Sequence, residues 1–211
     1  FTEIHSILFQ YSLTPRPKSN TLLSIFKHFP LQTFNLGIKM EIDYAEIVTS
    51  KPVSKFLLKF YLSDIEIQSL ILVSPFVGTL EGTRVTLDGV CKKAIEKNIP
   101  IYVITRAPGE EYHQQAVDTL LGCDAVELRF NESLHAKLYV CLCQDESRSF
   151  ALLGSANLTR NSIEKNIEIA MMIYGKGRGR EILRELSRWG LERLRTLNDT
   201  KLIKKIKYRR R

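Results

Sequence analysis

Ser133-Leu134-His135-Ala136-Lys137-Leu138-Tyr139-Val140, followed by Ala151-Leu152-Leu153-Gly154-Ser155-Ala156-Asn157-Leu158-Thr159 and by Asn166-Ile167-Glu168-Ile169-Ala170, is the most telling part of the chain. The first segment alternates, which predicts a strand with His135, Lys137 and Tyr139 on one face. Gly154-Ser155 ends a second apolar run as a turn would. Glu168 opens a third run that reaches Ile173. An imidazole, an ammonium, a glycine turn bearing a hydroxyl and an amide, and a carboxylate are the parts needed to handle a phosphodiester without a metal. Taken singly, each has an ordinary reading. His135 fits a satisfied core histidine, Ser155 a cap of the following turn, and Glu168 the partner of a surface lysine.

Working outward, the upstream residues read as an α/β unit. Leu70 to Val73 is a short buried strand ending at Ser74-Pro75-Phe76. Thr83 to Lys97 reads as a helix with Val85, Leu87, Val90, Ala94 and Ile95 inward, stopped by Asn98. Ile101 to Thr105 is a second strand. Glu110 to Leu121 is a second helix with Gly122 as its expected cap, and Ala125 to Phe130 is a third strand. This alternation implies right-handed crossovers and an α/β fold with a mixed, largely parallel sheet flanked by helices. Lys137 to Cys143 and Ser149 to Leu153 form a hairpin pair, and Asn157 to Ile163 a short helix or turn. Before all of these, Pro52 begins a helix whose Phe56, Leu57, Phe60 and Tyr61 recur at helical spacing.

The order His-x-Lys, Gly-Ser-x-Asn and a downstream acid resembles the phospholipase D superfamily, in a form with a single His-x-Lys motif like its nuclease members. The likeness includes the apolar filler from Leu134 to Tyr139, Ala151 to Thr159 and Asn166 to Ala170. One position departs: the family motif usually has Asp five residues after the lysine, and here Leu142 stands there. The resemblance implies a phospholipase D-like domain with no cofactor and no metal. It implies that His135 attacks phosphorus and becomes a phosphohistidine, while Lys137, Asn157 and Ser155 hold the phosphoryl oxygens. Glu168 would hold the imidazole in its working tautomer. A second histidine must then act as general acid. His5 and His28 lie in an irregular N-terminal segment, and His113 has Gln115 where a lysine would be needed. A homodimer with the active site on its two-fold axis supplies the missing group.

Three regions follow from composition. Residues 1–39 have Glu3 as their only acid and are interrupted by Pro15, Pro17 and Pro30. They read as an extension outside the catalytic domain, or as sequence upstream of the natural start, with Met40 opening ordinary globular composition. Residues 40–174 form the α/β domain. Residues 175–211 form a basic hinge (Gly175 to Arg180), an amphipathic helix over 181–197 and a cationic tail. That last region holds fourteen Lys and Arg against four Asp and Glu, a net of +10; with the whole 211-residue chain at +8, the rest carries −2. Lys201, Lys204, Lys205, Lys207, Arg209, Arg210 and Arg211 are the expected nucleic-acid-binding cations. Arg106 and Arg129, near strand ends, fit either substrate contacts or structural salt bridges.

No apolar run approaches the roughly 18 residues that span a bilayer. Cys91, Cys123, Cys141 and Cys143 lack metal-site spacing and read as reduced core residues, which suits a cytoplasmic protein. The expected activity is a metal-independent phosphodiesterase cleaving DNA or RNA, that is, a nuclease. Lipid phosphodiester hydrolysis at an anionic membrane surface is a less favoured alternative. A catalytically weak nucleic-acid-binding module is another, kept open by Leu142.

Overall fold

The computed structural model describes residues 43–207; the expected extension 1–39, His5, His28, and Arg209, Arg210 and Arg211 lie outside the described residues. Eight strands form one sheet. They are β1 (Ala45–Val48), β2 (Ile67–Val73), β3 (Ile101–Thr105), β4 (Val126–Asn131), β5 (Leu138–Cys143), β6 (Phe150–Gly154), β7 (Ala170–Tyr174) and β8 (Thr200–Lys204), in the spatial order β1-β7-β6-β5-β2-β3-β4-β8.

The sheet is mixed, as expected, but its parallel share is smaller than the strand–helix alternation suggested. Only β2–β3 and β3–β4 pair in parallel. The other five pairings among the described residues are antiparallel. The reason is in the connections. Helical crossovers between neighbouring strands, which give parallel pairing, occur only between β2 and β4 among the described residues. From β5 onward the chain returns on itself, beginning with the short 3-10 turn Glu146–Arg148 between β5 and β6.

Alternation along the central strands feeds two cores. On one face Leu70, Leu72, Tyr139, Cys141 and Leu152 pack under α1 (Pro52–Tyr61), α2 (Leu87–Lys97) and α3 (Glu111–Gly122). Phe56 of α1 is fully buried between the rings of Tyr139 and Phe150, with centroids 5.8 and 5.2 Å away. Burying such a ring contributes about 3 kcal/mol. On the other face Ile71, Val73, Val140 and Ala151 pack against Leu183 and Leu194. These belong to α5 (Gly179–Arg188), which runs through a π-helical stretch (Trp189–Arg193) into a last turn, α6 (Leu194–Thr196). Among the described residues no helix is long and apolar enough to cross a membrane. All four cysteines are free and buried.

Several boundaries moved for identifiable reasons. α2 starts at Leu87 because the Thr83 hydroxyl is spent on the carbonyls of Leu80 and Val85, while Thr86 accepts from Gly89 N–H at 3.0 Å as N-cap. Asn98 ends it in the left-handed conformation, φ 53°. Gly122 is the last helical residue of α3 and not a left-handed cap; Cys123 follows in extended conformation. The ammonium of Lys204 instead donates to the carbonyls of Leu120 and Cys123. The expected basic hinge carries backbone hydrogen bonds at both ends. Gly175 N–H donates to Ser149 O at 2.8 Å, and α5 already begins at Gly179.

Candidate active site

The catalytic residues predicted from sequence lie where three strand ends meet. His135 and Lys137 sit in the irregular segment just before β5, not inside a strand as the alternation predicted. Gly154-Ser155 ends β6. Glu168 lies two residues before β7, which starts at Ala170 and not at Glu168. Register brings the three together. Leu138 pairs with Leu153, and Gly154 pairs with Ala170. Gly154 N–H donates to Lys137 O at 3.4 Å, and Ser155 N–H donates to Ile169 O at 3.0 Å. Gly154 has no alternative here: a Cβ would lie 2.4 Å from Ile169 O and 2.5 Å from Ala170 Cβ.

The imidazole of His135 is exposed and makes no hydrogen bond to the described residues. Lys137 is half-buried, and its Nζ donates to His135 O at 2.8 Å. Glu168 is buried at 8% exposure, a demanding place for a carboxylate unless it is hydrogen-bonded. Ser155 Oγ donates to one of its oxygens, and Asn166 Nδ2 donates to the other at 3.2 Å. Ser155 Oγ also accepts from Ile169 N–H at 3.1 Å. The expected bond from Glu168 to the His135 ring is not formed; the donors on its two oxygens are Ser155 and Asn166. Asn157 donates its backbone N–H to Ser162 Oγ at 3.2 Å, and its buried side-chain oxygen has no partner among the described residues.

Three supporting residues were missed or read differently in the sequence. Tyr139, fully buried, donates its hydroxyl to Ala156 O at 2.8 Å and so holds the middle of the Gly-Ser-Ala-Asn turn. Burial, opposed in part by a bond with Ser74, pushes its phenol well above the ordinary range, so it stays a donor. Ser74 Oγ accepts from Leu158 N–H at 3.0 Å, tying the loop after β2 to the end of that turn. Arg106 Nε donates to Leu134 O at 2.8 Å, and its guanidinium lies over the Phe76 ring at 5.6 Å. Arg106 thus positions the residue before His135. Arg129 is structural: it pairs with Glu127 at 2.8 Å, beside Arg195 on the same carboxylate. The position of Leu142 lies on the other face of the sheet, half-buried against the core under α5, so the missing motif Asp leaves an apolar contact there.

The predicted nucleic-acid-binding tail divides. Thr200–Lys204 is β8, paired antiparallel with β4. Lys204 is spent on α3, and burial lowers its ammonium from the usual value. Lys201, Lys205 and Lys207 remain exposed, with Lys207 at 4.0 Å from Asp124. Among the described residues no group of three His, Cys, Asp or Glu side chains is placed to hold a metal ion.

Two solved structures share this architecture. Nuc from Salmonella typhimurium, a phospholipase D family member, superposes with a TM-score of 0.50 at 15% identity, over 76% of this chain and 99% of its own. NucT from Helicobacter pylori gives 0.53 at 14% identity, over 75% and 98%. At such identities the likeness is one of fold. No curated protein sequence matches the chain. The sequence family described as "Cardiolipin synthase, PLD-like domain" matches residues 66–190, which run from the entry to β2 into the π-helical stretch and take in every catalytic candidate. The chain belongs to that phospholipase D-like family, within the phospholipase D superfamily of phosphodiesterases.

Proposed function

We propose that this protein is a metal-independent nuclease that cleaves a phosphodiester through a phosphohistidine at a site shared by two copies of the chain. The observation that carries this reading is the junction of β5, β6 and β7. There Gly154 N–H on Lys137 O and Ser155 on Glu168 bring the five predicted residues to one end of the sheet.

In the proposed reaction a ring nitrogen of His135 attacks phosphorus. An N–P bond forms as the bond to the leaving oxygen breaks. Lys137 and the Asn157 amide hold the charge on the phosphoryl oxygens. Glu168 and Asn166 fix the Ser155 hydroxyl, and with it the turn that carries Asn157. The partner subunit's His135 gives its proton to the leaving oxygen. It then takes one from a water that attacks phosphorus and breaks the N–P bond, which frees the first imidazole. The surface beside the site supports a second copy. Ile47, Met171 and Leu153 are adjacent in register across three strands and are 60, 41 and 42% exposed. Ile169, next to Glu168, is 59% exposed. A cytoplasmic setting is part of the proposal, since four free thiols call for reducing conditions.

The test is cleavage of labelled single- and double-stranded DNA and RNA in excess EDTA, with His135→Asn alongside. Cutting in EDTA that the substitution abolishes is the expected result. Binding of nucleic acid by both proteins without cutting would replace the nuclease with a binding module. Turnover of phosphatidylglycerol vesicles but of no nucleic acid would replace it with a lipid phosphodiesterase.

A further inference from the structure

A basic groove opens beside the catalytic turn, and none of its residues belongs to the His-x-Lys machinery. Its volume is about 400 Å³, and Lys51, Lys55 and Arg84 line it with Ser54, Thr83 and Ile163. Chain connections place it at the catalytic end of the sheet. Val48, the last residue of β1, pairs with Ala170, two residues from Glu168. Lys51 follows three residues later and starts α1 in the left-handed conformation, φ 49°. Ile163 belongs to α4 (Arg160–Glu164), which begins three residues after Asn157. The loop carrying Thr83 and Arg84 is anchored to the same turn, since Gly78 N–H donates to Leu158 O at 2.8 Å.

The charge in the groove is uncompensated. Lys51, Lys55 and Arg84 are exposed and form no ion pair with the described residues. The carboxylate lining the groove, Glu164, is held by Arg160 at 2.7 Å. The Arg160 guanidinium itself lies over Gly82, where a Cβ would come within 3.2 Å of it. The first turn of α1 contains no acid and no side-chain cap, so its free N–H groups add to the positive field. Three free cations, the Ser50 and Ser54 hydroxyls and a helix start form a surface for phosphate groups.

We propose that this groove binds the backbone phosphates of a nucleic-acid strand to one side of the scissile phosphodiester. The inference rests on the nuclease reading and adds a location to it: substrate affinity comes from Lys51, Lys55 and Arg84, ahead of the C-terminal lysines. A strand lying in the groove gains phosphate contacts that a short substrate cannot reach, so affinity grows with length.

The experiment compares the full-length protein with K51A/K55A/R84A on single-stranded oligonucleotides from two to twelve nucleotides, at several salt concentrations. The native protein is expected to lower its KM at least tenfold from the shortest to the longest substrate. In the triple variant that gain should shrink to less than threefold. The slope of log affinity against log salt should fall by about 2, the release expected for three contacts to a single strand. Because the three side chains are exposed, the melting temperature checks that folding is intact. Equal length dependence and equal salt slope in the two proteins would overturn the groove while leaving the nuclease reading standing. A native protein that neither binds nor cuts any oligonucleotide would overturn both. Groove-dependent binding to phosphatidylglycerol vesicles, with none to oligonucleotides, would overturn the nucleic-acid assignment.

Discussion

The Lys137 ammonium donates to the backbone carbonyl of His135, its own motif partner, at 2.8 Å. The cation is thus held by a neutral backbone acceptor and not by a carboxylate. Turning it toward a phosphoryl oxygen breaks one hydrogen bond and no ion pair. Lys137→Ala should therefore lower kcat by about 10²- to 10³-fold, the usual loss for one donor to a charged transition state. Stability should change by less than about 1 kcal/mol, since the side chain is half-exposed and makes a single bond. Single-turnover kinetics and a denaturant melt would check both halves. A loss of activity matched by a loss of folding would mean the lysine is structural.

Gly154 decides whether the three strand ends meet. A methyl there must occupy space held by Ile169 O and by the Ala170 side chain and Cα, all within 2.6 Å. All three atoms are backbone or Cβ, so β7 must move away from β6. Gly154→Ala should cost more than about 2 kcal/mol and separate Ser155 from Glu168. Chemical denaturation measures the first effect. Hydrolysis of the shortest cleavable oligonucleotide measures the second, and it should fall at least a hundredfold in protein that remains folded.

His113 provides a pH dependence that has nothing to do with catalysis. It is 1% exposed, its Nε2 lies 3.0 Å from Thr105 Oγ1, and its ring stands 6.1 Å from that of Phe76. Burial lowers its pKa, with Glu110 and Glu132 opposing weakly. The unfolded chain then binds a proton near pH 6.5 that the folded chain refuses. Stability from this group is complete above that pH and is lost as pH falls toward the depressed folded value. Melting temperature should decline from pH 7 to 5, and His113→Gln should flatten that decline. An unchanged slope in the variant would assign the effect to carboxylates.

The five candidate residues could be picked out because they lie in short, ordered segments. His135, Lys137, Ser155, Asn157 and Glu168 each fall at a strand end, where period-two patterning gives way to polar residues. What was not legible depends on long-range register. Nothing near Tyr139 in the chain indicates that its hydroxyl would hold Ala156, seventeen residues away. Nothing around Glu168 says that Ser155 and Asn166 would take both of its oxygens. The tail shows the same limit from the other side. One-signed charge is a compositional signal, whereas the use of Lys204 depends on β8 pairing with β4 and meeting the open end of α3. The parallel share of the sheet was overestimated because helix–strand alternation is a strong signal over residues 70–130, while hairpin returns are marked only by loop length.

Ile169 tests whether two copies share the site. It follows Glu168 directly, is 59% exposed, and lies with Ile47, Leu153 and Met171 in an apolar surface at the catalytic end of the sheet. Its backbone is already committed, with N–H on Ser155 Oγ and carbonyl accepting from Ser155 N–H, so a side-chain change leaves the turn in place. Ile169→Asp places a charge where the proposed partner would desolvate it. One such charge per subunit, buried without a partner, costs several kcal/mol of association. Light scattering should show the native chain as a dimer and the variant as a monomer. Activity should fall with dimer content if, as proposed, each site draws its general acid from the other copy. Mixing inactive His135→Asn with active protein gives the second readout. Heterodimers hold one nucleophile and no complementary acid, so activity should fall faster than simple dilution predicts. A monomeric variant with full turnover would show that one chain holds the whole machinery.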